Sequence, residues 1–177
     1  MRHLPRPPRP PALSPTELIE LTRFFADEVT RERYPFIAYD AQRRWHQRIY
    51  RDPRIDVWLL SWLPAQGTEL HDHGGSAGAF TVLSGVLSEV VHRPGRSADP
   101  LVESARQAGE SVGFGPRYVH DVRNLGTEPA LSVHAYSRPL ALMNYYELDG
   151  DRLRRLRSVA TEDPEPVLDR ALAGVPS

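Results

Sequence analysis

The chain has 177 residues, and its 22 basic residues, all arginine, stand against 23 acidic ones for a net charge of -1. That balance offers no single-sign field for a nucleic acid or an anionic membrane. The chain has no cysteine, which excludes a disulfide framework and a thiol nucleophile, and no apolar run reaches the ~20 residues of a membrane helix. The expectation is one soluble, cytoplasmic domain, a monomer or small homo-oligomer, with no nucleic-acid or membrane partner.

Residues 1–13 are rich in proline and arginine and lack the apolar stretch of a secretory signal, so they read as an extended or disordered tail. A single domain is expected over residues 14–160. Ser14-Pro15-Thr16-Glu17 opens a helix, with Ser14 as cap, Pro15 in the first turn and Glu17 closing a capping box. Leu18, Leu21, Phe24, Phe25 and Val29 give that helix its apolar stripe. A second helix is expected over 39–50, with Trp45 and Ile49 as its apolar positions. From Ile55 the pattern turns to strands. Residues 55–63 read as a buried strand, and 79–91 as two strands around Ser84-Gly85. Residues 93–100 read as a loop. Short strands follow at 101–106, 111–114, 118–123 and 130–136. The run Asp149-Gly150-Asp151 marks a hairpin between 143–148 and 153–159. Residues 161–177 read as a polar tail with a short helix near 166–173. Two helices followed by many short strands imply a mainly β barrel or double-sheet roll.

Chemistry concentrates in the histidines. His71 and His73 are two apart, so on a strand both point to one face, and neutral imidazole is the commonest metal ligand. His120 and His134 follow in strand contexts. Ser132, His134 and Tyr136 share a face at i, i+2 and i+4. Asp72, between the first two histidines, points away from them and is assigned to structure. His92 reads as an ordinary strand-end residue.

These residues resemble the cupin superfamily, whose first motif runs G-x5-H-x-H-x3,4-E-x6-G. His71, His73 and Gly85 fit it, and counting back from Gly85 places the motif's glutamate at Gly78. The second motif ends P-x-G-x2-H-x3-N, and His120 and Asn124 keep its last spacing. Two histidines and a carboxylate make the ordinary non-haem iron site. Three neutral imidazoles leave the full dication, which favours an anionic ligand such as a thiolate. Within the cupins, that three-histidine set, joined to a Ser-x-His-x-Tyr series, resembles the cysteine dioxygenase and thiol dioxygenase family of bacterial type. The animal enzymes carry at the position of Gly78 a cysteine cross-linked to the series tyrosine, and Gly78 removes that link here.

The resemblance implies a cupin β-barrel binding one Fe(II) through His71, His73 and His120, with Ser132, His134 and Tyr136 beside it. It implies oxidation of a small thiol, L-cysteine or a mercapto-carboxylate such as 3-mercaptopropionate, to its sulfinate with O2. A residue before the first core strand binds the substrate carboxylate in this family. His46, Gln47 and Arg48 are the candidates, with Arg48 preferred for its bidentate fork and Gln47 standing for the mercaptopropionate class. The alternatives are a zinc or nickel cupin doing lyase or isomerase chemistry, and a cupin that only binds a ligand.

Overall fold

The computed structural model describes residues 11–34, 36–95 and 100–165. Helix α1 (Pro15–Thr30) comes first. Eleven strands follow: β1 (His46–Arg51), β2 (Asp56–Trp62), β3 (His71–Asp72), β4 (Ala77–Ser84), β5 (Val86–His92), β6 (Leu101–Gln107), β7 (Ser111–Phe114), β8 (His120–Arg123), β9 (Ala130–Ser137), β10 (Leu142–Asp149) and β11 (Arg152–Ala160). They form a five-stranded sheet in the order β1-β2-β9-β4-β7 and a six-stranded sheet in the order β11-β10-β3-β8-β5-β6. All pairings between these strands are antiparallel.

The capping box forms as the sequence predicts. Ser14 Oγ accepts from Glu17 N, and Ser14 N donates to Glu17 Oε2 at 2.7 Å. The buried face is Leu18, Thr22, Phe25, Ala26 and Val29, whereas Phe24 is mostly exposed. Thr22 and Thr81 share a buried hydroxyl hydrogen bond of 2.8 Å, which gives the polar member of that face its partner.

The expected second helix does not form. Residues 46–51 are β1, the edge strand, and it pairs with β2. The spacing of Trp45 and Ile49 misleads because i, i+4 puts two residues on one face of a helix and equally on one face of a strand. Both pack in the cluster beneath α1. Asp40 accepts from Gln42 N at 2.7 Å, a side-chain turn that competes with helix in the preceding loop.

Strand alternation divides the core. Trp58, Leu60 and Trp62 of β2 belong to the cluster that also takes Val122, Met143 and Tyr145 from the opposite sheet. Val57 and Leu59 face the other way and pack with α1. The same rule applies to β9. Ser132, His134 and Tyr136 pair across from Leu60, Trp58 and Asp56, so they share the inward face, while Leu131, Val133 and Ala135 face α1. Between β4 and β5 the chain passes from one sheet to the other at Gly85, whose φ of 73° suits glycine. The hairpin at Asp149-Gly150-Asp151 joins β10 and β11.

The tails also differ from expectation. Leu13 is partly buried beneath the helix, and its N–H donates to Ser137 Oγ at 2.9 Å. Residues 161–165 run back across β1. The helix expected near 166–173 and residues 1–10 lie outside the described residues.

Candidate metal centre

Strand β3 is only two residues long, and it places His71 directly opposite His120 of β8. His73 follows immediately. One potential ligand atom from each of the three residues lies within 4.8 Å of the others, and all three side chains are buried. His71 Nδ1 lies 2.7 Å from the Glu69 carbonyl and donates to it, which turns Nε2 toward the cluster. His120 Nδ1 lies 3.0 Å from Glu89 Oε1, an orienting carboxylate of the kind that raises ligand basicity. His73 is held by rings, stacked on Phe114 at 5.1 Å between centroids and tilted on Tyr136 at 4.8 Å.

The donor chemistry fits a divalent transition metal. Burial, reinforced by the neighbouring imidazoles, holds His71 and His73 well below the usual histidine range, so both are neutral at pH 7. His71 and His120, with their Nδ1 atoms engaged by Glu69 and Glu89, are suited to coordinate through Nε2. A carboxylate ligand at position 78 has no room. A Cβ there would lie 2.5 Å from the Phe114 ring and 3.1 Å from the Ala135 carbonyl. Phe114 thus occupies the place where the cupin motif carries its glutamate.

His134 and Tyr136 line the same cavity as the three histidines, together with Arg44, Leu60, Trp62, Thr68, Val122 and Pro164, and Ser132 stands behind His134 on the same face of β9. Its volume is about 10 Å³. Trp62 Nε1 donates to Ser132 Oγ at 2.8 Å, and Ser132 Oγ lies 2.9 Å from His134 Nε2. Burial first, with the charges of His120 and Arg44 adding to it, lowers the His134 pKa to about 3. Burial, with Asp56 adding to it, raises the Tyr136 hydroxyl well above the usual tyrosine range, so it stays protonated.

The structure separates the three candidates for the substrate carboxylate from the cavity. Gln47 is exposed on β1. The Arg48 guanidinium lies over Trp58, 4.4 Å from the ring centroid, and donates to the Glu162 carbonyl at 2.8 Å. His46 Nε2 lies 2.9 Å from Asp163 Oδ1. None of the three lines the histidine cavity; Arg44 does. Its guanidinium lies 4.5 Å from the Trp62 ring centroid, and its Nη2 pairs with Glu165. Burial lowers its pKa to about 10, so it remains a cation at pH 7.

Asp72 has the structural part expected of it. It accepts from Gly74 N, Asn144 Nδ2 and Tyr146 Oη, which tie the ligand turn to β10. Asn124 closes a turn by donating to the Trp62 and Glu128 carbonyls. Glu89 escaped the sequence reading. Its side chain is completely buried, and His120, Arg106 and Tyr118 all reach it. Burial alone would raise its pKa, but the hydrogen bond and charge of His120, with Arg106, outweigh burial and lower it. The signal was present in Leu87-Ser-Glu89-Val-Val91, where a charge occupies an inward strand position between two apolar ones.

A pH dependence follows from the neutral rings. An unfolded histidine titrates near ~6.5, whereas His71, His73 and His134 titrate lower when folded. Their contribution to metal-free stability is complete above the unfolded value and is lost as pH falls through it. Each ring adds a slope approaching about 1.4 kcal/mol per pH unit below that point. Urea unfolding of metal-free protein at pH 7.5, 6.5 and 5.5 should show the decline. His134→Gln should make it shallower. A flat profile would mean that these rings are not buried in neutral form.

Two sheets folded over three inward histidines define the cupin class of metal-binding rolls. A sequence profile for cysteine dioxygenase type I matches residues 16–149, and the chain belongs to that family. Cysteine dioxygenase type 1 of Homo sapiens is 28% identical over 97 residues, a match covering 49% of this chain and 46% of that protein. The Bos taurus enzyme is 27% identical over the same length and coverage. The matches therefore span about half the length of these curated relatives. Among solved structures, the TT1209 protein of Thermus thermophilus has a TM-score of 0.50 at 21% identity, covering 58% of this chain and 90% of that one. A cupin 2 conserved barrel domain protein of Salinispora arenicola has a TM-score of 0.44 at 17% identity, covering 58% of this chain and 81% of that one. The first of these, at 21% identity, speaks to fold alone. Among the described residues, no helix is long and apolar enough to cross a membrane.

Proposed function

We propose that the chain is an Fe(II)-dependent thiol dioxygenase acting on a small thiol that carries a carboxylate, L-cysteine or a mercapto-carboxylate such as 3-mercaptopropionate. The observation that carries this reading is the all-imidazole set His71, His73 and His120, with Phe114 filling the place of a carboxylate ligand. The reaction is RSH + O2 → RSO2⁻ + H⁺. Sulfur loses four electrons, O2 gains them, and both oxygen atoms end in the sulfinate.

Iron, when bound by the three histidines, would supply the positive charge that deprotonates the thiol and a common centre for thiolate and O2. The chain's own residues provide position and polarity. Arg44 is the cation placed to take the substrate carboxylate. Tyr136, kept protonated, donates a hydrogen bond into the cavity. Trp62 donates to Ser132, which frees the Ser132 hydroxyl hydrogen for His134 Nε2 and leaves the ring proton of His134 on Nδ1. That chain of donors fixes the orientation of the His134 ring beside Tyr136. Leu60 and Val122 present apolar walls that limit water.

The test is anaerobic loading with Fe(II), followed by O2 uptake across L-cysteine, 3-mercaptopropionate, mercaptosuccinate and cysteamine. One O2 per thiol and a sulfinate product are expected with a carboxylated thiol. A zinc- or nickel-loaded protein that turns over substrate without O2 would replace this reading with lyase or isomerase chemistry.

A further inference from the structure

The cavity over the histidines, at about 10 Å³, holds roughly one water and no thiol. A part of its wall must move to admit a substrate. Most of the wall is built from paired strands, including His71 on β3 and His134 and Tyr136 on β9. Arg44, Thr68, His73 and Pro164 lie outside the strands; Thr68 is tied to β8 by hydrogen bonds to Asp121 and Val122 and His73 follows β3 directly, whereas Pro164 belongs to residues 161–165, a segment with no strand or helix. A second cavity of about 150 Å³ shares Arg44 and Thr68 with the first and includes Glu165 in its wall. The Arg44–Glu165 pair stands at the junction of the two.

The segment is fastened by acids on the bases of β1 and the residues before it. Glu162 pairs with Arg51 at 2.7 Å, Asp163 with His46 at 2.9 Å, and Glu165 with Arg44. The outer pairs are partly exposed, with Glu162 65% and Asp163 44% exposed, so solvent weakens them. The inner pair is different. Arg44 is 7% exposed, and its Nε is buried without a hydrogen-bond partner among the described residues. Glu165 therefore leaves the guanidinium fork half used. A ligand carboxylate that engages Nε and Nη2 together satisfies both.

Building on the thiol dioxygenase reading, we infer that Glu165 is an internal stand-in for the substrate carboxylate, and that residues 161–165 form a strap closing the site until a carboxylated substrate takes Arg44 from it. Glu165 thereby sets specificity. A thiol with a carboxylate opens the strap by exchange, and one without it has nothing to offer Arg44. Apparent affinity is reduced by the fraction of time the strap is closed.

The test uses full-length wild-type protein and Glu165→Gln, both metal-free and anaerobic, titrated calorimetrically with 3-mercaptopropionate and cysteamine. Glu165→Gln should bind 3-mercaptopropionate about tenfold more tightly, with little change toward cysteamine, if the closed strap dominates at rest. In wild type, 3-mercaptopropionate should also speed amide exchange at Asp163 and Glu165, whose N–H groups bond within the strap. Asp163→Asn, which loosens the pair with His46, should shift affinity in the same direction. Equal or weaker binding by Glu165→Gln overturns the inference, as does ligand binding with unchanged strap exchange. Failure of 3-mercaptopropionate to bind either protein also overturns it. Strap release without O2 consumption by the iron-loaded enzyme would leave the inference standing and defeat the dioxygenase reading.

Discussion

Replacing His71 by alanine should empty the site of iron and abolish thiol oxidation while leaving the fold intact. His71 is one of the three histidines proposed to hold the metal, and its Nδ1 partner is a backbone carbonyl that keeps its place without the ring. His120→Ala should lose iron in the same way but also lower stability. It removes the Nδ1–H that faces the buried carboxylate of Glu89, leaving Arg106 and Tyr118 as its remaining partners. Leaving a buried polar group short of a partner costs about 1–3 kcal/mol. Metal analysis and thermal unfolding of the two variants separate these effects. Glu89→Gln keeps all three ligands and should weaken iron binding by roughly 10- to 100-fold, because it alters the orientation and basicity of one ring. Stoichiometric iron in a His71, His73, His120 triple alanine variant would place the metal elsewhere.

Tyr136→Phe should keep iron and slow turnover by a factor of roughly 10 to 1000, the range for one preorganised hydrogen bond. Tyr136 lines the histidine cavity, its hydroxyl is protonated, and its ring packs on His73. Phenylalanine preserves that packing and removes the donor alone. The effect should therefore appear in kcat, with iron content and melting temperature unchanged. Unaltered kinetics with the best substrate would remove Tyr136 from the mechanism. The absence of cysteine means that Tyr136 reaches this state without a thioether to a neighbour.

The sequence by itself determined what depends on local spacing. The Ser14 capping box, the glycine at the sheet crossing and the hairpin at Gly150 each need only a few adjacent residues. His71 with His73, and Ser132 with His134 and Tyr136, could be placed on common faces because a strand repeats every two residues. The histidine cluster was legible once those strands were identified. Where a spacing served two structures equally, as with Trp45 and Ile49, the local pattern lost its meaning and the edge pairing with β2 decided for strand.

Tertiary structure alone decided the polar surroundings of that cluster. Glu89 reaches His120 across adjacent antiparallel strands, and Phe114 closes the space beside Gly78 from a neighbouring strand. Arg44 meets Glu165 from 121 positions away. Which arginine faces the site depended on the path of the loop before β1 and the return of residues 161–165 across it. Charge attraction has no sequence period, and its partners are chosen only when packing brings distant segments within reach and burial strips them of water.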